Sequence, residues 1–159
     1  MNIVLVEPQI PPNTGNVGRL CAATRVPLHL VGDLGFRLTD RHLKRAGLDY
    51  WDLLTMRRHP SLEEFLGAIP ESKLYFFSKK VERPYYQASF KEGDYLIFGS
   101  EIRGLPGWLF EKYPDKFWTI PMFEFRVRSL NLATSVAIIL YEALRQTRFV
   151  SNPSRLGPP

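Results

Sequence analysis

The sequence predicts a three-layer α/β/α fold on a mostly parallel sheet. Short runs of β-branched and leucine residues recur along the chain, each followed by a segment with helix-start signals or helical spacing. One of them, Tyr95-Leu96-Ile97-Phe98-Gly99, is almost wholly apolar, as a strand covered on both faces must be. No repeat, low-complexity tract or internal linker interrupts the 159 residues, so residues 1–150 read as one domain. The proline- and glycine-rich stretch 151–159 reads as a flexible tail.

In chain order, residues 2 to 6 form a buried strand by their Ile-Val-Leu-Val content. A helix is expected to open near Asn13, an N-cap type of residue, and to run through Ala23. Residues Pro27 to Gly32 are a second strand ending in a glycine turn. Thr39 is placed to cap a small helix through Leu43 and Ala46, stopped by Gly47. Ser61-Leu62-Glu63-Glu64 is a capping box, so another helix starts there. Strands follow at Lys73 to Ser78 and at Tyr95 to Gly99, then a short helix from Pro106 to Tyr113 and a last strand from Phe117 to Ile120. From Leu130 to Arg148 the spacing of Leu132, Val136, Ile139, Leu140 and Ala143 gives one long helix an apolar face.

A net charge of +5 favours a polyanionic partner such as nucleic acid. The single cysteine, Cys21, permits no internal disulfide and reads as a small buried apolar residue. His29, His42 and His59 lack metal-ligand spacing, so no metal is expected. No leader is expected ahead of the first strand, and no apolar run approaches the roughly 20 residues that cross a bilayer. A soluble cytoplasmic protein without membrane contact is the expectation.

Three polar stretches follow apolar strands, where open α/β sheets bind ligands. They are Glu7 to Arg19 with Asn13-Thr14-Gly15-Asn16-Val17-Gly18-Arg19, Phe98 to Pro106 with Glu101 and Arg103, and Ile120-Pro121-Met122 followed by Arg126-Val127-Arg128-Ser129-Leu130-Asn131-Leu132. Each has a plain structural alternative. Asn13 can cap a helix, Gly15 and Gly18 can allow close packing, Glu101 and Arg103 can pair in water, and Ser129 or Asn131 can be an N-cap. Capping and ligand binding are compatible, because free N–H groups at a helix start also bind ligands.

Together the three stretches resemble the signature motifs of SPOUT-class RNA 2′-O-ribose methyltransferases. The nearest likeness is to the short TrmL-type group, which methylates the wobble nucleotide of tRNA, and it runs from about Asn2 to Gln146. Leu48-Asp49-Tyr50, Gly93 to Leu96 and Tyr141-Glu142-Ala143 fit the same group. The resemblance implies a C-terminal deep trefoil knot, which topology rules would reject. A homodimer is also implied, packed largely through the first and last helices. The cofactor implied is S-adenosylmethionine, leaving as S-adenosylhomocysteine, cradled by Phe77, Ser78, Gly99, Ile120, Met122, Ser129 and Leu130. The substrate implied is the anticodon stem-loop of tRNA.

Catalytic roles carried over by the resemblance fall on Asn13, Arg19, Glu101, Ser129 and Asn131. Arg19 would stand near the target phosphate, where a guanidinium donates two parallel hydrogen bonds. In the family mechanism it also takes the 2′-hydroxyl proton, although a guanidinium beside a phosphate holds its own proton tightly. Glu101 would orient Arg19 or the ribose, and Ser129 and Asn131 would hold the methionine end and the substrate. Ile102 replaces the usual threonine, Ala133 and Thr134 stand where Ser-Asn is common, and Phe123 to Val127 is more apolar than usual. Other readings stay open: a related methyltransferase acting elsewhere on tRNA or on ribosomal RNA, an inactive RNA-binding dimer, or a flavodoxin-like domain.

Overall fold

The computed structural model describes residues 1–37, 48–124 and 126–149. Six strands, β1 (Asn2–Val6), β2 (Leu28–Val31), β3 (Met56–His59), β4 (Leu74–Phe77), β5 (Tyr95–Phe98) and β6 (Phe117–Trp118), form one sheet. Its order is β3-β2-β1-β5-β4-β6, and every pairing is parallel. The helices are α1 (Pro11–Thr24), α2 (Leu62–Gly67), α3 (Trp108–Lys112) and α4 (Leu132–Leu144), the last continued by a π turn at Arg145–Phe149. The small helix expected between Thr39 and Gly47 and the tail 151–159 lie outside the described residues.

Strand alternation sorts the apolar side chains into two cores. Ile3, Leu5, Leu28, Leu30, Leu96 and Phe98 face α1 and α4, meeting Val17, Cys21, Val136, Ile139 and Leu140. Val4, Val6, Val31, Phe76 and Ile97 face α2 and α3, meeting Phe65 and Leu109. In register, Leu5 lies opposite both Leu30 and Phe98, so each layer is continuous across three strands. A fully buried side chain of this kind contributes roughly 1.5–3 kcal/mol, so the central strands anchor everything mounted on them.

Several expectations need correction. The Met-Arg-Arg-His segment 56–59 is a strand that composition hid; it pairs only with β2, and charged residues are what an exposed edge carries. β6 is shorter than expected: Thr119 makes only an isolated bridge to Pro84, and Ile120 has left the sheet. Helix α1 starts before Asn13, at Pro11, with Ile10 in the N-cap position and no side-chain cap. Pro11 and Pro12 carry no N–H, which removes two of the donors a helix start normally leaves orphaned. The capping box is as expected, with the Glu64 N–H donating to Ser61 Oγ at 3.2 Å.

Candidate functional site

At the C-terminal ends of β1, β4, β5 and β6 the connecting loops enclose a cleft of about 680 Å³. Phe77, Ser78, Gly99, Ile120, Met122, Ser129 and Leu130 all line it, together with Asn13, Glu101 and Asn131. Every residue expected to cradle the cofactor therefore stands on one wall system. Arg19 is not among the lining residues.

One carboxylate ties the three motifs together. Glu101 Oε2 accepts the Gln9 backbone N–H at 2.9 Å, and Oε1 accepts the Ile10 N–H at 3.3 Å and Asn13 Nδ2 at 2.9 Å. Asn13 Oδ1 in turn accepts Asn131 Nδ2 at 2.9 Å. Asn131 is the N-cap of α4, its Oδ1 accepting the Ala133 and Thr134 N–H groups at 2.8 and 3.4 Å. Glu101 thus holds the entry to α1 of its own chain, a contact that sequence reasoning did not foresee. The chain reaches this geometry through Glu7, whose φ of 47° is a left-handed conformation that few residues other than glycine adopt. Gln9 Nε2 donates to the Glu7 carbonyl at 2.8 Å and braces that turn.

Gly99 lines the cleft and is also required by the chain's own packing. A Cβ there would lie 2.1 Å from the Gly104 carbonyl carbon and 2.2 Å from Leu105 N, so the chain's own backbone excludes a side chain. The second motif folds back on itself at this point. The Gly104 N–H donates to the Ser100 carbonyl at 2.9 Å and the Arg103 N–H to Ser100 Oγ at 3.0 Å, with Gly104 at φ +71°. Lys79 and Lys80, which sequence reasoning passed over, also line the cleft. Their signal was a pair of lysines directly after a buried strand. Lys79 Nζ donates to the Arg128 carbonyl at 2.6 Å and joins the turn after β4 to the third motif.

Arg19 is exposed on a different face of α1, its guanidinium carbon 5.3 Å from the centre of the Tyr50 ring. Tyr50 donates its hydroxyl to the Gly15 carbonyl at 2.7 Å. A Cβ on Gly18 would come within 3.2 Å of Leu54 Cδ2, so this glycine serves close packing.

Arg103, Arg128, Lys79 and Lys80 give the cleft a cationic lining, and Glu101, already taken up by three donors, is the one acidic residue among the described lining residues. Cys21 is buried, which pushes its thiol up to about 12 and rules it out as a nucleophile at neutral pH. Among the described residues no group of three or more His, Cys, Asp or Glu is placed to hold a metal ion, and no helix is long and apolar enough to cross a membrane.

Comparison with known proteins agrees with this geometry. A tRNA (cytidine(34)-2′-O)-methyltransferase of Burkholderia cenocepacia is 44% identical over 151 residues, 93% of this chain and 96% of that protein. A solved structure described as "Structural insights into the 2-OH methylation of C/U34 on tRNA" is 48% identical, with a TM-score of 0.85 over 91% of this chain and 94% of that one. The SpoU methyltransferase AviRb of Streptomyces viridochromogenes, solved in complex with the cofactor AdoMet, is 24% identical. It covers 92% of this chain and 57% of that one at a TM-score of 0.79, a likeness of fold. The model of the SpoU rRNA Methylase family matches residues 1–141, so the chain belongs to that family.

Proposed function

We propose that this protein transfers a methyl group from S-adenosylmethionine to the ribose 2′-hydroxyl of the wobble nucleotide of tRNA. The observation that carries the reading is the hydrogen-bonded chain Glu101–Asn13–Asn131 on the wall of one cleft. It stands in a chain that matches a wobble 2′-O-methyltransferase over nearly its whole length.

The residues present suit the cofactor. A cleft of about 680 Å³ lies in the usual range for ligand sites of a few hundred to a thousand Å³. Ile120, Met122 and Leu130 offer apolar walls with adjacent backbone groups for an adenine ring, beside Phe77, Ser78 and Gly99, and Ser129 stands ready for the methionine end. The bound cofactor supplies an electrophilic methyl group on a sulfonium.

The chain's own residues then have to place a weak nucleophile and accept its proton. Glu101 is a positioning residue in this reading, because its oxygens already accept from Gln9, Ile10 and Asn13. Asn13 and Asn131 fix one another and so fix the start of α1 against the start of α4. Arg19 faces away from its own cleft, and a second copy packed along α1 and α4 would bring it to the partner's cleft. The exposed side chains of Ile10 and Ile102 at the cleft and of Tyr141 on α4 are apolar surface that such a copy would cover. There Arg19 would clamp the target phosphate beside the 2′-hydroxyl, with the anticodon stem-loop lying across both chains. The trefoil knot implied by the family likeness belongs to the same reading, with Lys79 holding the Arg128 carbonyl and so joining the turn after β4 to the third motif.

The test is methyl transfer in vitro. Purified protein, unmodified tRNA and methyl-labelled S-adenosylmethionine should yield label in a 2′-O-methylnucleoside at the wobble position after nuclease digestion. Label in a base, or in ribosomal RNA in preference to tRNA, would contradict the proposal.

A further inference from the structure

Phe123 follows the cleft-lining Met122 and is 95% exposed, more than any other large apolar residue described. Single exposed apolar residues are ordinary on a surface, but this one is followed by residues that hydrogen-bond to one another. The Glu124 carboxylate accepts the Arg126 backbone N–H at 2.9 Å and its guanidinium Nε and Nη2, both at 3.0 Å. The Val127 N–H donates to the Glu124 carbonyl at 3.2 Å. On either side, Met122 and Arg128 line the cleft, and Lys79 holds the Arg128 carbonyl. Phe123 therefore offers an aromatic face to solvent one residue along the chain from a cleft with a cationic lining.

We infer that Phe123 is the platform on which the base of the methylated nucleotide stacks, an inference that rests on the function proposed above. A ribose whose 2′-oxygen enters the cleft carries its base to the rim, out of the stack of its neighbours. An aromatic face offsets that lost stacking, and it does so without reading the base's edge, so it accepts either pyrimidine. Lys79, Lys80, Arg103 and Arg128 complement the flanking phosphates.

The experiment is a two-way cycle on the full chain. Phe123→Ala and wild type are each measured against an anticodon stem-loop RNA and against the same RNA lacking only the wobble base, its ribose retained. Phe123→Ala should weaken binding of the intact RNA about tenfold and leave binding of the base-less RNA nearly unchanged, because the partner of the ring is already gone. Phe123→Trp should restore binding of the intact RNA, and S-adenosylmethionine affinity should not move in either variant. Equal losses on both RNAs, or no loss on either, overturns the inference. So does a shift of Phe123→Ala toward monomer in sedimentation, which would seat the ring on a second copy. A wild-type protein that methylates no RNA overturns the proposed function and this inference together, whereas an active wild type matched by Phe123→Ala removes the inference alone.

Discussion

Asn13 and Glu101 are 88 residues apart in the chain, and Asn13 and Asn131 are 118 apart, yet each pair is joined at 2.9 Å. A hydrogen bond to an ionised group contributes about 1.5–3 kcal/mol, so Glu101 has enough strength to hold three loops in one geometry. Arg19 is not among the residues that line the cleft, and the expected consequence is sharp. Arg19→Ala should abolish methylation while leaving cofactor affinity nearly unchanged, as calorimetry alongside a methyl-transfer assay would read. A parallel loss of cofactor binding would mean that the residue serves the cleft of its own chain. The residue types of the site were legible in the sequence through the three motifs. Their roles were less so, because each depends on a distant partner. Nothing local says that Asn13 lies inside α1 with its amide spent on Glu101, or that the Gly104 backbone leaves no room for a side chain at Gly99.

Central strands and long helices were legible because their burial pattern is written in consecutive residues, as in β1, β5 and α4. The edge strand β3 was not, since Met-Arg-Arg-His shows neither alternation nor an apolar run, and only its pairing with β2 makes it a strand. That edge has a pH signature of its own. His29 on β2 is buried, and its Nδ1 lies 3.0 Å from Nε2 of His59 on β3. Phe65 of α2 and Tyr95 of β5 pack on the His29 ring. Burial first, then His59 and Arg57, lower the His29 pKa to about 4, and burial and Arg57 lower that of His59 as well. The unfolded chain takes up protons that the folded pair refuses, so this contribution leaves stability level above about pH 6.5 and erodes it as pH falls toward 4. Urea midpoints between pH 7 and 4.5 check it. His29→Leu should flatten part of the slope, and a variant as acid-sensitive as wild type would remove the pair as the cause.

For the whole molecule, a sheet capped by loops at one end puts the site where a parallel α/β fold is open, and the proposed reading has a second copy complete it. Mixing subunits tests that assembly. Arg19→Ala and Glu101→Ala proteins, each inactive alone, should on subunit exchange recover about a quarter of wild-type activity, because half the dimers are mixed and each holds one intact site. No recovery, with exchange verified by mass spectrometry, would place Arg19 and Glu101 in the same chain's site. The central proposal, that this protein marks the wobble ribose, is met most directly in the cell. Ribose methylation is mapped at nucleotide resolution across tRNA from cells with and without the gene. Loss of a 2′-O-methyl group at the wobble position of particular tRNAs, restored by the wild-type chain and not by Arg19→Ala, is the expected result. An unchanged wobble position, with a methyl group missing from another tRNA site or from ribosomal RNA, would contradict it.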